Sequence, residues 1–288
     1  MENRKVWFIT GASKGFGLGL VNQLLEAGHA VAATSRSIDG LRQAVGQQSA
    51  DFLPLAVDLG NEASVKEAIN ATISQFGRID VVVNNAGYGQ LGSLEELTNE
   101  EARGNFEVNV FGMLNVIRQV MPYLRKQQSG HVINISSIAG ITGSFPGWGI
   151  YCATKFAVEG LSESLAAEVA PFGVKVTIVE PGYFRTEFLS SGSMRVAQGQ
   201  LSDYTLVRES EAMHREQIRG NQPGDPVKAV AAIIQVANAP HPPLHLLLGQ
   251  DAYDMAYGKI QALQHDLENW KAVTVTTGFT TVDEAATS

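Results

Sequence analysis

Seven short apolar runs separated by longer stretches of helical patterning constrain this chain more than any other feature. The runs are Lys5–Thr10, Ala30–Ser35, Phe52–Val57, Ile79–Asn84, His131–Ser136, Lys175–Glu180 and Leu244–Leu248. They are rich in Val and Ile and show little alternation of apolar with polar residues, the pattern of parallel strands buried on both faces. Helical patterns fall between them at about 16–27, 38–47, 61–76, 99–127, 152–170 and 226–238. Such alternation predicts an α/β fold, a doubly wound and mostly parallel seven-stranded sheet with helices on both faces. Gly28, Gly77, Gly130 and Gly173 stand where helices would end. Pro122, late in the 99–127 pattern, predicts a bend there. Residues 186–225 interrupt the alternation with serine, glycine and polar residues, then a charged helical stretch at 203–219. A connection this long is read as a lid. The last forty residues carry little pattern, and 249–288 is read as a variable extension of a single domain.

Composition removes several function classes. The 288 residues carry a formal charge of −8 and no basic cluster, which argues against nucleic acid and anionic membrane as partners. No apolar run reaches about 18 residues, so no membrane span is expected. Cys152 is the single cysteine, which allows no intrachain disulfide and no thiolate cluster, and a cytoplasmic setting is expected. The six histidines are scattered. His241 and His245 alone have helical metal-ligand spacing, but Pro242 and Pro243 lie between them, so no metal is expected.

Directly after the first run comes Thr10-Gly11-Ala12-Ser13-Lys14-Gly15-Phe16-Gly17, opening a helix. Glycines there permit a tight turn and let main-chain N–H groups at a helix N-terminus approach a pyrophosphate. A second match, Gly87-Tyr88-Gly89-Gln90-Leu91-Gly92, fits the GxGxxG expression letter by letter. No compact βαβ unit with an acidic strand end follows it, so it is read as a loop. The end of the second run, Thr34-Ser35-Arg36-Ser37, lacks the acid that would bind a ribose 2′-hydroxyl. Arg36, with Lys14 and a hydrogen bond from Ser35, suits a 2′-phosphate instead, and NADP is the expected cofactor. Tyr151 and Lys155 stand four apart, so on a helix they share a face. An ammonium there would lower the phenol's pKa, making Tyr151 a proton donor and acceptor.

Taken in order, these motifs resemble the short-chain dehydrogenase/reductase family over about residues 4 to 188. They are the Thr10–Gly17 loop, Asp58, Asn84-Asn85-Ala86-Gly87, Asn109, Ser136-Ser137, Tyr151 with Lys155, and Pro181-Gly182 followed by Thr186. The chain is similar in flavour to hydroxysteroid dehydrogenase and ketoreductase branches. The resemblance implies a Rossmann-type domain with a catalytic tetrad of Asn109, Ser137, Tyr151 and Lys155. In that reading Tyr151 exchanges the substrate proton and Lys155 supports it and bonds the nicotinamide ribose. Ser137 polarises the carbonyl, and Asn109 holds a water linking Lys155 to solvent. Ser137 stands fourteen residues before Tyr151, one more than is usual in the family, and Ile138 occupies the usual position. Adjacent strand residues point to opposite faces, so Ser136 and Ser137 cannot both face the substrate.

The resemblance also implies the cofactor contacts. The loop residues Gly11, Ser13, Lys14, Gly15, Phe16 and Gly17 would hold pyrophosphate, and Asp58 with Leu59 the adenine, although an acidic helix cap would also explain Asp58. Asn85, Ala86 and Gly87 would lie along the adenosine. Pro181, Gly182, Phe184 and Thr186, with Tyr151 and Lys155, would meet the nicotinamide end. Ser144–Trp148, Tyr183, Phe184, Phe188, Met194 and Tyr88 would form an apolar substrate side. The expected activity is NADP-dependent hydride transfer to or from a hydrophobic ketone, aldehyde or secondary alcohol. A non-catalytic dinucleotide sensor or an epimerase are the alternatives. A homodimer or homotetramer built on the 99–127 and 152–170 helices is implied by the resemblance alone.

Overall fold

The structure is a computed structural model, and it describes residues 4–46, 49–190 and 192–279. In chain order the first elements are β1 (Val6–Ile9), α1 (Gly15–Glu26), β2 (Ala30–Ser35), α2 (Ile38–Val45), β3 (Phe52–Ala56), α3 (Glu62–Phe76), β4 (Val81–Asn84) and β5 (Gly89–Leu91). Then come α4 (Asn99–Phe106), α5 (Gly112–Gln127), β6 (Gly130–Ile135), α6 (Gly149–Val169) and β7 (Val174–Pro181). The last are β8 (Met194–Val196), α7 (Thr205–Ala212), α8 (Pro226–Asn238), β9 (His245–Leu248) and α9 (Gln250–Thr274).

All seven expected strands join one sheet in the order β3-β2-β1-β4-β6-β7-β9. Every neighbouring pair is parallel, so the sheet is wholly rather than mostly parallel. The pleat explains why the strands lack alternation. Trp7, Ile9, Val31, Ala33, Val81 and Val83 face one core with Leu20 and Leu24 of α1, Leu41 of α2 and Ile233 of α8. Phe8, Ala32, Val82 and Val132 face the other, with Ile69 of α3, Val116 and Val120 of α5, and Val158 of α6. Each large side chain buried this way contributes about 1.5–3 kcal/mol. Strand order reverses between β1 and β4, and in such sheets a crevice opens there, at the C-terminal strand ends.

Several local expectations are corrected. The 99–127 helix is interrupted by a π-helical turn at Glu107–Phe111, around Asn109, while its continuation through Pro122 is as expected. One missing N–H is tolerated in a helix whose Val116, Val120 and Leu124 are fully buried. Gly28, Gly77 and Gly173 take the left-handed conformation at helix ends, but at the end of α5 that role falls to Gln128. Gly130 instead opens β6, where a Cβ would lie 2.8 Å from Leu124. The second glycine match is not a phosphate loop, because its Gly89–Leu91 forms β5 and pairs with β8. The stretch 186–225 folds into β8, α7 and a second π-helical turn at Met213–Ile218. Residues 250–274 form a long helix where little pattern was legible, since Ala252 and Ala256 are its only buried residues. Among the described residues no helix is long and apolar enough to cross a membrane.

Candidate active site

A cavity of about 530 Å³ opens at the C-terminal strand ends, and the turns after β1, β2, β4, β6 and β7 line it. At one end sits the glycine loop, stapled to the turn after β4. Thr10 Oγ1 accepts from the N–H groups of Asn85 (3.0 Å) and Ala86 (3.1 Å), and Asn85 Nδ2 donates to the carbonyls of Thr10 (2.9 Å) and Gly11 (3.0 Å). Asn85 is thus a brace as well as a wall residue. Gly11 has φ +64°, and a Cβ there would lie 2.8 Å from Ala86 Cα. A Cβ on Gly17 would meet Gly11 O at 2.5 Å, so Gly17 is a packing glycine and does not line the cavity. Gly11, Ser13, Lys14, Gly15 and Phe16 do.

Beyond β2 the wall is positive. Lys14 and Arg36 both line it, and neither forms an ion pair among the described residues. Burial first, then the charge of Arg36, holds Lys14 below the usual lysine range. The Ser35 hydroxyl is committed to its own turn, donating to Ser37 O at 2.9 Å and accepting from Ser37 N at 3.0 Å. That corrects its expected role as a free donor. Asp58 and Leu59 line the same end. Asn61, not Asp58, caps α3, and Asp58 accepts from Gly60 N at 3.1 Å.

At the other end α6 presents Tyr151 and Lys155, both buried, on the cavity wall. The helix begins at Gly149, three residues earlier than its pattern suggested, so the pair lies fully inside it. Lys155 Nζ donates to Ile135 O at 2.9 Å and stands 5.7 Å from the centre of the Tyr151 ring. The environment of Tyr151 is dominated by burial rather than by this lysine. Burial raises Tyr151 above the usual phenol range, while a hydrogen bond from Ser137 pulls the other way. Burial also takes Lys155 down to about 8, because an ammonium is costly there.

Both serines line the cavity. Ser137 caps a short 3₁₀ turn at Ile138–Gly140, accepting from Ala139 N at 3.1 Å, and it draws the Tyr151 pKa down. Ser136 turns towards Glu159. Asn109 lies behind the wall. Its Oδ1 accepts from Tyr88 N (3.0 Å), and its Nδ2 donates to Tyr88 O (2.9 Å) and Thr154 Oγ1 (3.1 Å). The side chain therefore clamps β5 to α6.

Ala86, Gly87, Pro181, Gly182, Phe184 and Thr186 also line the cavity, with Phe16 edge-on to Phe184 at 5.4 Å. Of the expected substrate side, Tyr88, Phe145, Trp148, Tyr183 and Phe188 lie on the wall. Ser144, Pro146, Gly147 and Met194 do not, and Met194 is buried in a neighbouring core. Sequence reasoning missed Arg195, whose guanidinium lies 4.2 Å from the Tyr88 ring centre, together with Ser193, His214 and Gln222. All four come from the 186–225 stretch, which has no periodicity to mark an inward face. It also missed Asp251, which accepts from Tyr183 N at 2.7 Å and fixes the turn after β7.

Behind Ser136 lies a buried acid pair. Glu180 Oε1 is 2.7 Å from His245 Nδ1, and Glu159 Oε2 is 3.7 Å from the same nitrogen. Burial and the neighbouring carboxylate push Glu159 up to about 7, so it keeps a proton near neutral pH.

The profile of the short chain dehydrogenase family matches residues 5–195. A 3-ketodihydrosphingosine reductase from Bacteroides thetaiotaomicron is 40% identical over 247 residues, covering 85% of this chain and 88% of the relative. The crystal structure of a short-chain dehydrogenase from Streptomyces avermitilis superposes with a TM-score of 0.87 at 38% identity, covering 95% of this chain and 100% of the other. A 3-ketoacyl-(acyl-carrier-protein) reductase from Brucella melitensis complexed with NADH and ElxO with NADP bound each give 0.70 at 27% identity, over 85% of this chain and 96% of theirs. With its wholly parallel sheet, its glycine loop and its Tyr151–Lys155 helix, this chain belongs to the short-chain dehydrogenase family.

Proposed function

We propose that this chain is an NADP-dependent oxidoreductase acting between NADPH and a hydrophobic ketone or aldehyde, or in reverse from a secondary alcohol. The observation that carries this reading is one cavity with a glycine loop at one end and Tyr151, Ser137 and Lys155 at the other. The residues suit a dinucleotide. Gly11 and Gly17 leave no room for a Cβ, and Lys14 of the glycine loop and Arg36 just after β2 both line the cavity without an ion pair among the described residues. Those cations favour a 2′-phosphate. Lys155 suits the ribose, and Thr186 with Gly182 the nicotinamide. The dinucleotide, when bound, supplies the hydride.

Tyr151 delivers its proton from Oη to the substrate oxygen, and Ser137 stabilises the charge growing on that oxygen. Lys155 is best placed to recharge the phenol, since an ammonium taken down to about 8 gives up its proton near working pH. Asn109 serves as a positioning residue, because its side chain is committed to Tyr88 and Thr154. Residues 186–225 cover the substrate, and Phe145, Phe188 and Leu189 give that space its apolar character. The similarity to a 3-ketodihydrosphingosine reductase supports an amphipathic ketone with a long apolar part. The test is NADPH oxidation with a panel of hydrophobic ketones. Tyr151→Phe is expected to lower kcat by about 100-fold or more, and an undiminished rate would sink the mechanism.

A further inference from the structure

The cavity wall also holds a hydrogen-bonded pair that hydride transfer does not use. His214 lies in the π-helical turn Met213–Ile218, is 3% exposed, and still lines the cavity. Its Nδ1 stands 2.7 Å from the Ser210 carbonyl. A carbonyl only accepts, so Nδ1 carries a proton. Burial holds His214 below the usual histidine range, so the ring is neutral and Nε2 is bare. That bare nitrogen lies 3.0 Å from Tyr183 Oη and takes its proton. The single O–H of Tyr183, a residue of the cavity wall, is thereby committed to the cover segment, and its oxygen keeps only acceptor capacity.

Two contacts put this acceptor near the reacting end. Trp148 bridges from the pair to the catalytic helix, its ring centre 4.9 Å from that of His214 and 5.6 Å from that of Tyr151. The Tyr183 phenol is also among the groups that oppose ionisation of Tyr151. The apolar side chains of Phe145, Phe188 and Leu189 line the same cavity, as do the polar Ser193, Arg195 and Gln222.

Resting on the carbonyl-reductase reading, we infer that Tyr183, held by His214, is a specificity-determining acceptor for a hydroxyl or ammonium that the substrate carries besides its carbonyl. The substrate class is then a hydroxy- or amino-ketone with an apolar remainder. A tether that only tied the cover segment to β7 would give no such preference.

The probes are a straight-chain alkanone and its β-hydroxy, β-amino and β-methoxy derivatives, the last an acceptor with no proton to give. In the unaltered protein kcat/KM for the hydroxy or amino ketone should exceed that of the parent by about tenfold, and the methoxy ketone should gain nothing. Tyr183→Phe should bring the hydroxy-to-parent ratio close to one. His214→Phe returns a free O–H to Tyr183, so the methoxy ketone should gain on the parent. Equal loss on all four ketones, with the ratios kept, overturns the proposal. Calorimetric Kd values of the parent and hydroxy ketones, measured on the unaltered protein with bound NADP, decide the matter without turnover or variants. Equal values overturn it. Absence of any turnover alongside a clear binding preference would instead reject the carbonyl-reductase reading and leave the acceptor standing.

Discussion

Tyr151 is a buried phenol whose neighbours act on its proton in opposite directions. Burial raises its pKa and Ser137 lowers it, while burial also takes the neighbouring Lys155 down to about 8. In the proposed reaction a bound dinucleotide would change that balance. Glu159, one helical turn beyond Lys155, is raised from 4.5 to about 7 by burial first. Its protonated form is the one folding favours, so its contribution is complete below about 4.5 and is lost as pH rises through about 7. Glu159→Gln keeps the shape without the charge. It should raise stability by about 1–3 kcal/mol at pH 8 and by little at pH 5, read as the difference in thermal midpoints. At the other end of the cavity Arg36→Asp should shift the NADPH-to-NADH ratio of kcat/KM by roughly tenfold or more towards NADH. An unchanged ratio would reject the assignment of Arg36.

The glycine loop and α6 illustrate how far elements could be read from residues. The loop was legible because its glycines answer to local needs: Gly11 has φ +64° and Gly17 packs against the Gly11 carbonyl. Gly17→Ala should force the loop and Asn85 apart. A loss of about 1–3 kcal/mol in stability and of at least about tenfold in dinucleotide affinity is expected, measured by thermal unfolding and calorimetry. The start of α6 was misplaced because Gly147-Trp148-Gly149 has loop chemistry, yet the helix begins at Gly149 with Trp148 as its cap, packed beside Tyr151. The π-helical turn at Asn109 had no signal either. It coincides with the point where that side chain bonds a main chain 21 residues away.

At the scale of the whole molecule the two ends of the chain are held very differently. β1 is buried at the centre of the sheet, whereas α9 is anchored by Ala252, Ala256 and the Asp251 contact to Tyr183, and is exposed from Tyr257 onward. Removing residues 259–288 should therefore change the thermal midpoint by no more than a few degrees. Asp251→Ala should lower it and raise KM for the proposed ketone substrate, because the turn after β7 loses its brace. Scanning calorimetry and steady-state kinetics check both. The sequence alone determined the strand–helix alternation, the loop, the Tyr151–Lys155 spacing and the missing acid after β2, since each depends on neighbours within one helical turn or one strand. Only tertiary structure decided which side chains face the cavity from 186–225, that Asn109 and Asn85 act as braces, and that Glu159, Glu180 and His245 meet. Those juxtapositions join elements far apart in the chain, and burial, which sets their charges, exists only once the sheet and both helix layers have closed.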